Sequence, residues 1–209
     1  MKINLKFQGN KKMSLNLLVL DLETTGLEPE KDLILEVAAI PVKLTENNFE
    51  VGKKIHFYVK NEIGKIFNRM NDFVQNMHHK NGLINDICNP NNRENTFHLL
   101  NPKCPLYSLF TDKKDELPIY ICGNSINFDK KFLKYHAPDL ESKLHYRVLD
   151  LTSFWLIKSI FKISEKNTES THRAYDDVEY SLELLREFYD IIKLNFFNDN
   201  LVIDFDIRK

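Results

Sequence analysis

A chain of 209 residues, 43% hydrophobic and 28% charged, suits one globular domain with a sizeable core, and no apolar run approaches the ~20 residues of a membrane span. With 29 Lys and Arg against 30 Asp and Glu, no global positive field gathers long nucleic acid; this argues against avid duplex binding but leaves a nucleic-acid substrate open. Three cysteines (Cys88, Cys104, Cys122), odd in number and without zinc spacing, point to reducing, intracellular conditions, with the cytoplasm expected and mitochondria the alternative.

The first twelve residues contain four lysines, no acid and no arginine. They lack the apolar core of a signal peptide, so residues 1–14 read as an extension around a second start at Met13. Residues 15–196 form the expected domain and 197–209 a tail, in which Leu201–Phe205 reads as an extra strand.

Leu17 to Gly26 organises the domain. Alternation places Leu17, Val19, Asp21 and Glu23 on one face of a strand and Leu18, Leu20 and Leu22 on the other. A strand apolar on both faces belongs in the middle of a sheet. Its two terminal carboxylates then point the same way, which is costly unless a cation lies between them; hard oxygen ligands suit Mg²⁺ or Mn²⁺. Gly26 permits a sharp turn off the strand.

Residues 33–40 read as a second strand and 54–59 as a third, joined in an antiparallel meander. Residues 62–88 look helical with a break at Gly82. Residues 89–117, with Pro90, Pro102 and Pro105, read as an irregular insertion with one short helix at most. A strand at 118–122 runs through Gly123-Asn-Ser into a helix with Phe128, Phe132 and Tyr135 on one side and Asp129 at the edge of the buried stripe. Residues 146–150 read as another strand, Thr152 as a helix cap, and Trp155 as core. The last helix, about 172–194, carries Ala174, Val178, Leu182, Leu185, Tyr189 and Ile192 inward. Strands followed by alternating helices and strands predict an α/β layered domain with a mixed central sheet flanked by helices.

The acids at element ends or beside apolar stripes are Asp21, Glu23, Asp129 and Asp177, with His172 five residues before the last. On one regular helix, five steps leave two side chains ~140° apart, so His172 is expected in the loop or first turn, free to face Asp177's cleft. Taken singly, Asp129 could be a first-turn acid, His172 a cap and Asp177 a solvated helix residue. Together, four carboxylates and an imidazole are the equipment for two-metal phosphodiester hydrolysis. Glu36 reads as a structural partner rather than a ligand, and Asp150 as a strand-end acid.

The ordered set Asp21-x-Glu23-Thr-Thr-Gly26, Asp129 and His172-x-x-x-x-Asp177 resembles the DEDD exonucleases of ribonuclease H-like fold, in the branch with histidine in its third motif. Within that branch it is most similar to the oligoribonuclease family, through Cys122-Gly-Asn-Ser-Ile126, His145-Tyr-Arg-Val-Leu-Asp150 and His172-Arg-Ala-Tyr-Asp-Asp177. The resemblance implies a 3′→5′ exoribonuclease that degrades short single-stranded oligoribonucleotides, especially dinucleotides, to nucleoside 5′-monophosphates. It implies that Asp21, Glu23, Asp129 and Asp177 hold two divalent ions, Mg²⁺ or Mn²⁺, with His172 as general base. Leu27 matches a wedge between two bases, Phe73 a base-stacking position usually held by tryptophan, and Ser125, Arg147, Thr152 and His78 contacts to a 5′-phosphate. Tyr146 matches a residue that enters the partner's site, implying a homodimer. Phe128 departs from the family's polar residue before Asp129, and 89–117 replaces a long helix.

Two other readings use the same residues. A proofreading or repair 3′→5′ DNA exonuclease would have no need of the His145-Tyr-Arg segment, and a degenerate nucleic-acid-binding module would lack one of the five groups, all of which are present.

Overall fold

The structure is a computed structural model that describes residues 14–110, 118–160 and 171–197. Residues 1–13 of the extension, residues 111–117 of the insertion and the tail strand expected at Leu201–Phe205 lie outside the described residues.

A mixed sheet forms the middle layer. Strand β1 (Ser14–Thr24) pairs antiparallel with β2 (Ile34–Thr45), which pairs antiparallel with β4 (Ile55–Val59). A short β3 (Phe49–Val51) also pairs with β2, and β5 (Thr96–Phe97) runs parallel to β4 at the edge. On the other side of β1 lie β6 (Ile119–Gly123) and β7 (Leu149–Asp150), both parallel, in the order β5-β4-β2-β1-β6-β7. The alternation along β1 divides the core. Leu18, Leu20 and Leu22 pack with Phe57, Ile121, Phe132 and Leu133, the last two from α4 (Asn127–His136). Leu17 and Val19 pack with Ala174, Val178 and Leu185 of α7 (Ala174–Phe197).

Several local expectations change. The second strand runs five residues further, and the 62–88 stretch is three helices, α1 (Ile63–Arg69), α2 (Asp72–Lys80) and α3 (Leu83–Cys88). The additional break precedes Asn71, whose side chain caps α2 by accepting the Val74 N–H. Residues 89–110 are more regular than expected: Pro90 and Pro105 each open a 3₁₀ helix, with β5 after the first. Leu99, Cys104 and Leu106 from this stretch enter the β1 core, a burial that periodicity does not reveal because the segment is neither helix nor long strand.

The strand expected at 146–150 shrinks to Leu149–Asp150, the two residues of that stretch in register with β6. Thr152 opens α6 (Thr152–Ile160) rather than capping it; Asp150 Oδ1 accepts its N–H. Trp155 is 41% exposed, against the core reading, because α6 buries none of its residues among those described. Tyr135 also points outward, leaving Phe132 and Leu133 as the buried stripe of α4. On α7, Ser181 and Leu184 are buried and Ile192 is exposed.

Candidate active site

The site lies where the apolar face of β1 ends. Beyond Leu17 and Val19 the same face presents Asp21 and Glu23, opposite Ala38 and Glu36 of β2 in register. Helix α7 packs across this face through Ala174 and Val178, and Asp177, between them, meets the two strand acids. One carboxylate oxygen from each of Asp21, Glu23 and Asp177 lies within 4.8 Å of the others.

Asp129 comes from the first turn of α4 on the opposite side of β1. It is buried, and its Oδ1 accepts the Leu22 N–H at 3.0 Å. It stands outside the three-acid cluster but close enough to Asp21 to act on its charge. Burial raises the pKa of Asp21 well above the usual carboxylate range, and Asp129, Glu23 and Asp177 raise it further. Glu23 is raised by burial and then by Asp177 and Glu36, with Arg173 opposing. Burial raises Asp129 too, although backbone N–H groups, including that of Leu22, favour its ionised form.

Such a cluster is unfavourable by itself and favourable around a divalent cation, which would neutralise converging oxygens of the hard type that Mg²⁺ and Mn²⁺ prefer. The donor set therefore fits a divalent metal, with Asp21, Glu23 and Asp177 as the residues that would hold it.

Glu36 shares this face without sharing the cluster's instability. It is fully buried; burial would raise its pKa, but hydrogen bonds from His56 and Arg173 and the guanidinium charge outweigh that and hold it low. His56 Nε2 lies 2.8 Å from one Glu36 oxygen, and the Ala174 N–H donates to the other at 2.9 Å. Glu36 is thus the anchor of the segment that carries His172 and Asp177.

A cleft of about 940 Å³ opens above the acids. His172 lines it from a bend just before α7, with a φ of 51°. Leu27 and Phe73 line it too, and they are 80% and 75% exposed. Gly26 precedes Leu27, and it is required by a close approach, not by a left-handed turn: a Cβ there would lie 2.5 Å from the Asp32 carboxylate. That carboxylate accepts from the Thr25 hydroxyl at 3.0 Å and the Glu28 N–H at 2.9 Å, so it fixes the turn that presents Leu27.

Ser125 lines the cleft from the end of β6, and its N–H is held by Thr152 Oγ1 at 2.8 Å and Asp150 Oδ1 at 3.1 Å. Phe128 lines the cleft as well. Four expected substrate residues stand outside the cleft lining, and of these Thr152 lies directly against Ser125. Tyr146, 69% exposed, and Arg147, whose guanidinium lies 4.9 Å over the Tyr146 ring, are outside the cleft lining of their own chain. His78 is fully buried behind Thr24, with Nε2 2.9 Å from the Thr24 carbonyl. A carbonyl only accepts, so Nε2 carries the proton and Nδ1 is buried without a partner. Burial lowers the pKa of the ring, and this placement makes His78 a support for the end of β1 in this chain.

Residues that sequence reasoning missed also line the cleft, among them Met77, Asn124, Thr171 and Tyr180. Met77 follows Phe73 by one helical turn, which was the available signal.

Comparison with known proteins bears on this arrangement. The protein family described as Exonuclease (RNase_T) matches residues 18–95. The oligoribonuclease of Haemophilus influenzae is 35% identical over 177 residues, 81% of this chain and 91% of that protein. The oligoribonuclease of Wigglesworthia glossinidia brevipalpis is 34% identical over 187 residues, 86% and 95% of the two chains. That of Pseudomonas aeruginosa is 31% identical over 188 residues, 86% and 97%. Among solved structures, a moderately thermophilic Exonuclease I from Methylocaldum szegediense superposes with a TM-score of 0.57 at 14% identity. E. coli Exonuclease I in complex with a dT13 oligonucleotide superposes at 0.53 with 19% identity. Each superposition covers 87% of this chain but 43% of the larger structure, so the likeness is one of fold: the ribonuclease H-like layered arrangement.

Proposed function

The chain belongs to the oligoribonuclease family of 3′→5′ exoribonucleases, and from that premise we propose that its cleft hydrolyses short single-stranded oligoribonucleotides, above all dinucleotides, to nucleoside 5′-monophosphates. The observation that carries this reading is the convergence, in one cleft, of three carboxylates within 4.8 Å, an imidazole and two exposed apolar side chains.

Asp21, Glu23 and Asp177, with Asp129 beside Asp21, would hold two Mg²⁺ or Mn²⁺ ions. When bound, such ions polarise the scissile phosphate and make a nearby water more acidic. His172 takes the proton of the attacking water, a role suited to an imidazole near neutral pH. Leu27 and Phe73 receive the two bases, one as a wedge and one as a stacking surface. Ser125 and Thr152, with hydroxyls 3.3 Å apart, and Arg147 through its forked donors, receive the 5′-phosphate.

The active unit is a homodimer in which Tyr146 enters the partner's cleft. Its support is the exposed Tyr146 outside its own cleft and the apolar α6 beyond it, where Leu156, Ile157 and Ile160 are exposed. A second copy covering that face gives both features one explanation.

Selectivity for length requires contacts at both ends of the substrate, because polar donors left without their phosphate penalise the wrong ligand steeply. The test is a degradation series on 5′-labelled RNAs from two to about twenty nucleotides, with and without divalent metal. The expected result is metal-dependent release of monophosphates, with kcat/KM highest for 5′-phosphorylated dinucleotides and lowered by Arg147→Ala. Faster, processive degradation of the longest RNA would overturn the reading in favour of a general exonuclease.

A further inference from the structure

His172, in the bend before α7, is held by residues of other elements. Its φ of 51° is one that residues with side chains rarely adopt unless neighbours impose it. Asn81, at the C-terminal end of α2, makes the first of the imposing contacts. Its Nδ2 donates to the His172 carbonyl and lies 3.5 Å from the Thr171 carbonyl, while its Oδ1 accepts the Leu83 N–H at 3.0 Å. Carbonyls on one side and an N–H on the other fix which way the amide points.

The residue after His172 is tied to the same place. Arg173 Nη1 donates to the backbone carbonyl of Asn81 at 3.2 Å, and Nη2 reaches Glu36 at 2.9 Å and Asp86 at 2.8 Å. Glu36 also accepts the Ala174 N–H, so the chain is held on both sides of His172. Neither Asn81 nor Glu36 lines the cleft. Helix α2, which Asn81 ends, sends Phe73 and Met77 into it. The helix that presents a base-contacting surface is thereby bonded directly to the histidine bend.

We propose that Asn81 is a positioning residue for His172: its side-chain N–H groups fix the bend from which the imidazole reaches the attacking water, on a frame made by Arg173 and Glu36. The inference rests on His172 being the proton acceptor. A misplacement of about 1 Å costs on the order of 10²-fold in rate, so loss of this contact is large enough to read in kcat.

Asn81→Asp tests it, because the substitution keeps the shape and the acceptor for Leu83 N–H but turns the donor into an acceptor facing two carbonyls. On a 5′-phosphorylated dinucleotide, Asn81→Asp is expected to lower kcat by about 10²-fold. KM, melting temperature and calorimetric Mn²⁺ binding should be unchanged. In a His172→Ala background the same substitution should cost nothing further, since the group it positions is gone. Wild-type kcat in Asn81→Asp, or a loss that multiplies with that of His172→Ala, would overturn the inference. A loss accompanied by a matching fall in melting temperature would assign Asn81 to the fold alone. Wild-type turnover in His172→Ala would remove the base reading itself and this inference with it, an outcome distinct from the others.

Discussion

At the scale of single residues, the five groups of the proposed chemistry are set apart by their surroundings. Asp21, Glu23 and Asp177 are mutually repulsive, and Asp129 adds to the field at Asp21. His172 stands at the mouth of the same cleft, exposed, where a proton can leave to solvent. His172→Ala is therefore expected to lower kcat by roughly 10² or more while leaving metal affinity and melting temperature intact, since general-base contributions are typically ~10²–10⁴. Asp21→Ala or Asp177→Ala should abolish activity by removing an oxygen from the metal-binding set. Single-turnover rates on purified protein check both, and near-normal turnover in any of the three would remove the assignment.

At the scale of elements, β1 builds the site and α2 and α7 close it. The strand carries apolar residues on both faces until Val19, then acids on one, so the core and the site are successive stretches of one alternation. The apolar pair across the cleft comes from two different elements, the turn after β1 and helix α2, and its exposure means that neither side chain contributes much to stability. Leu27→Ala and Phe73→Ala should each raise KM for a dinucleotide by about tenfold, the loss of ~1–3 kcal/mol of base stacking or apolar contact. Melting temperature should barely move. If either variant melts much lower than the parent with an unchanged KM, its side chain belongs to the core and not to the substrate.

At the scale of the whole molecule, two properties follow. Buried carboxyls with raised pKa bind protons more tightly in the folded chain than in the unfolded one, so they stabilise the fold at acid pH and cease to as pH rises through their elevated range. The metal-free protein should accordingly lose melting temperature between the ordinary carboxylate range and neutral pH or above. Mg²⁺ or Mn²⁺ should restore it, with the increment growing as pH rises; an increment independent of pH would show that the cluster is not where the cation binds. The second concerns the proposed dimer. Sedimentation should give twice the chain mass, and mixing inactive Tyr146→Ala with inactive His172→Ala should recover activity, because one site of the hybrid then holds both residues. A monomeric mass for the active enzyme would end that proposal.

The central strand, its burial on both faces and the direction of Asp21 and Glu23 were legible in the sequence, because alternation is local and a strand with two apolar faces has one place in a sheet. The family resemblance was equally legible in the spacing of Asp129, His172 and Asp177 and in the segments around them. What the tertiary structure decided was everything that depends on contacts between distant residues. Glu36 reads as a structural partner from its strand, but only the fold shows that its partner is Arg173, 137 positions away, and that the pair anchors the histidine bend. Gly26 is glycine because Asp32 folds back against it, and His78 is buried because α2 packs behind Thr24. The core residues of the 89–117 stretch stayed hidden for the same reason. A 3₁₀ turn or a two-residue edge strand has too little period to read, and its burial is set by the sheet it lies against.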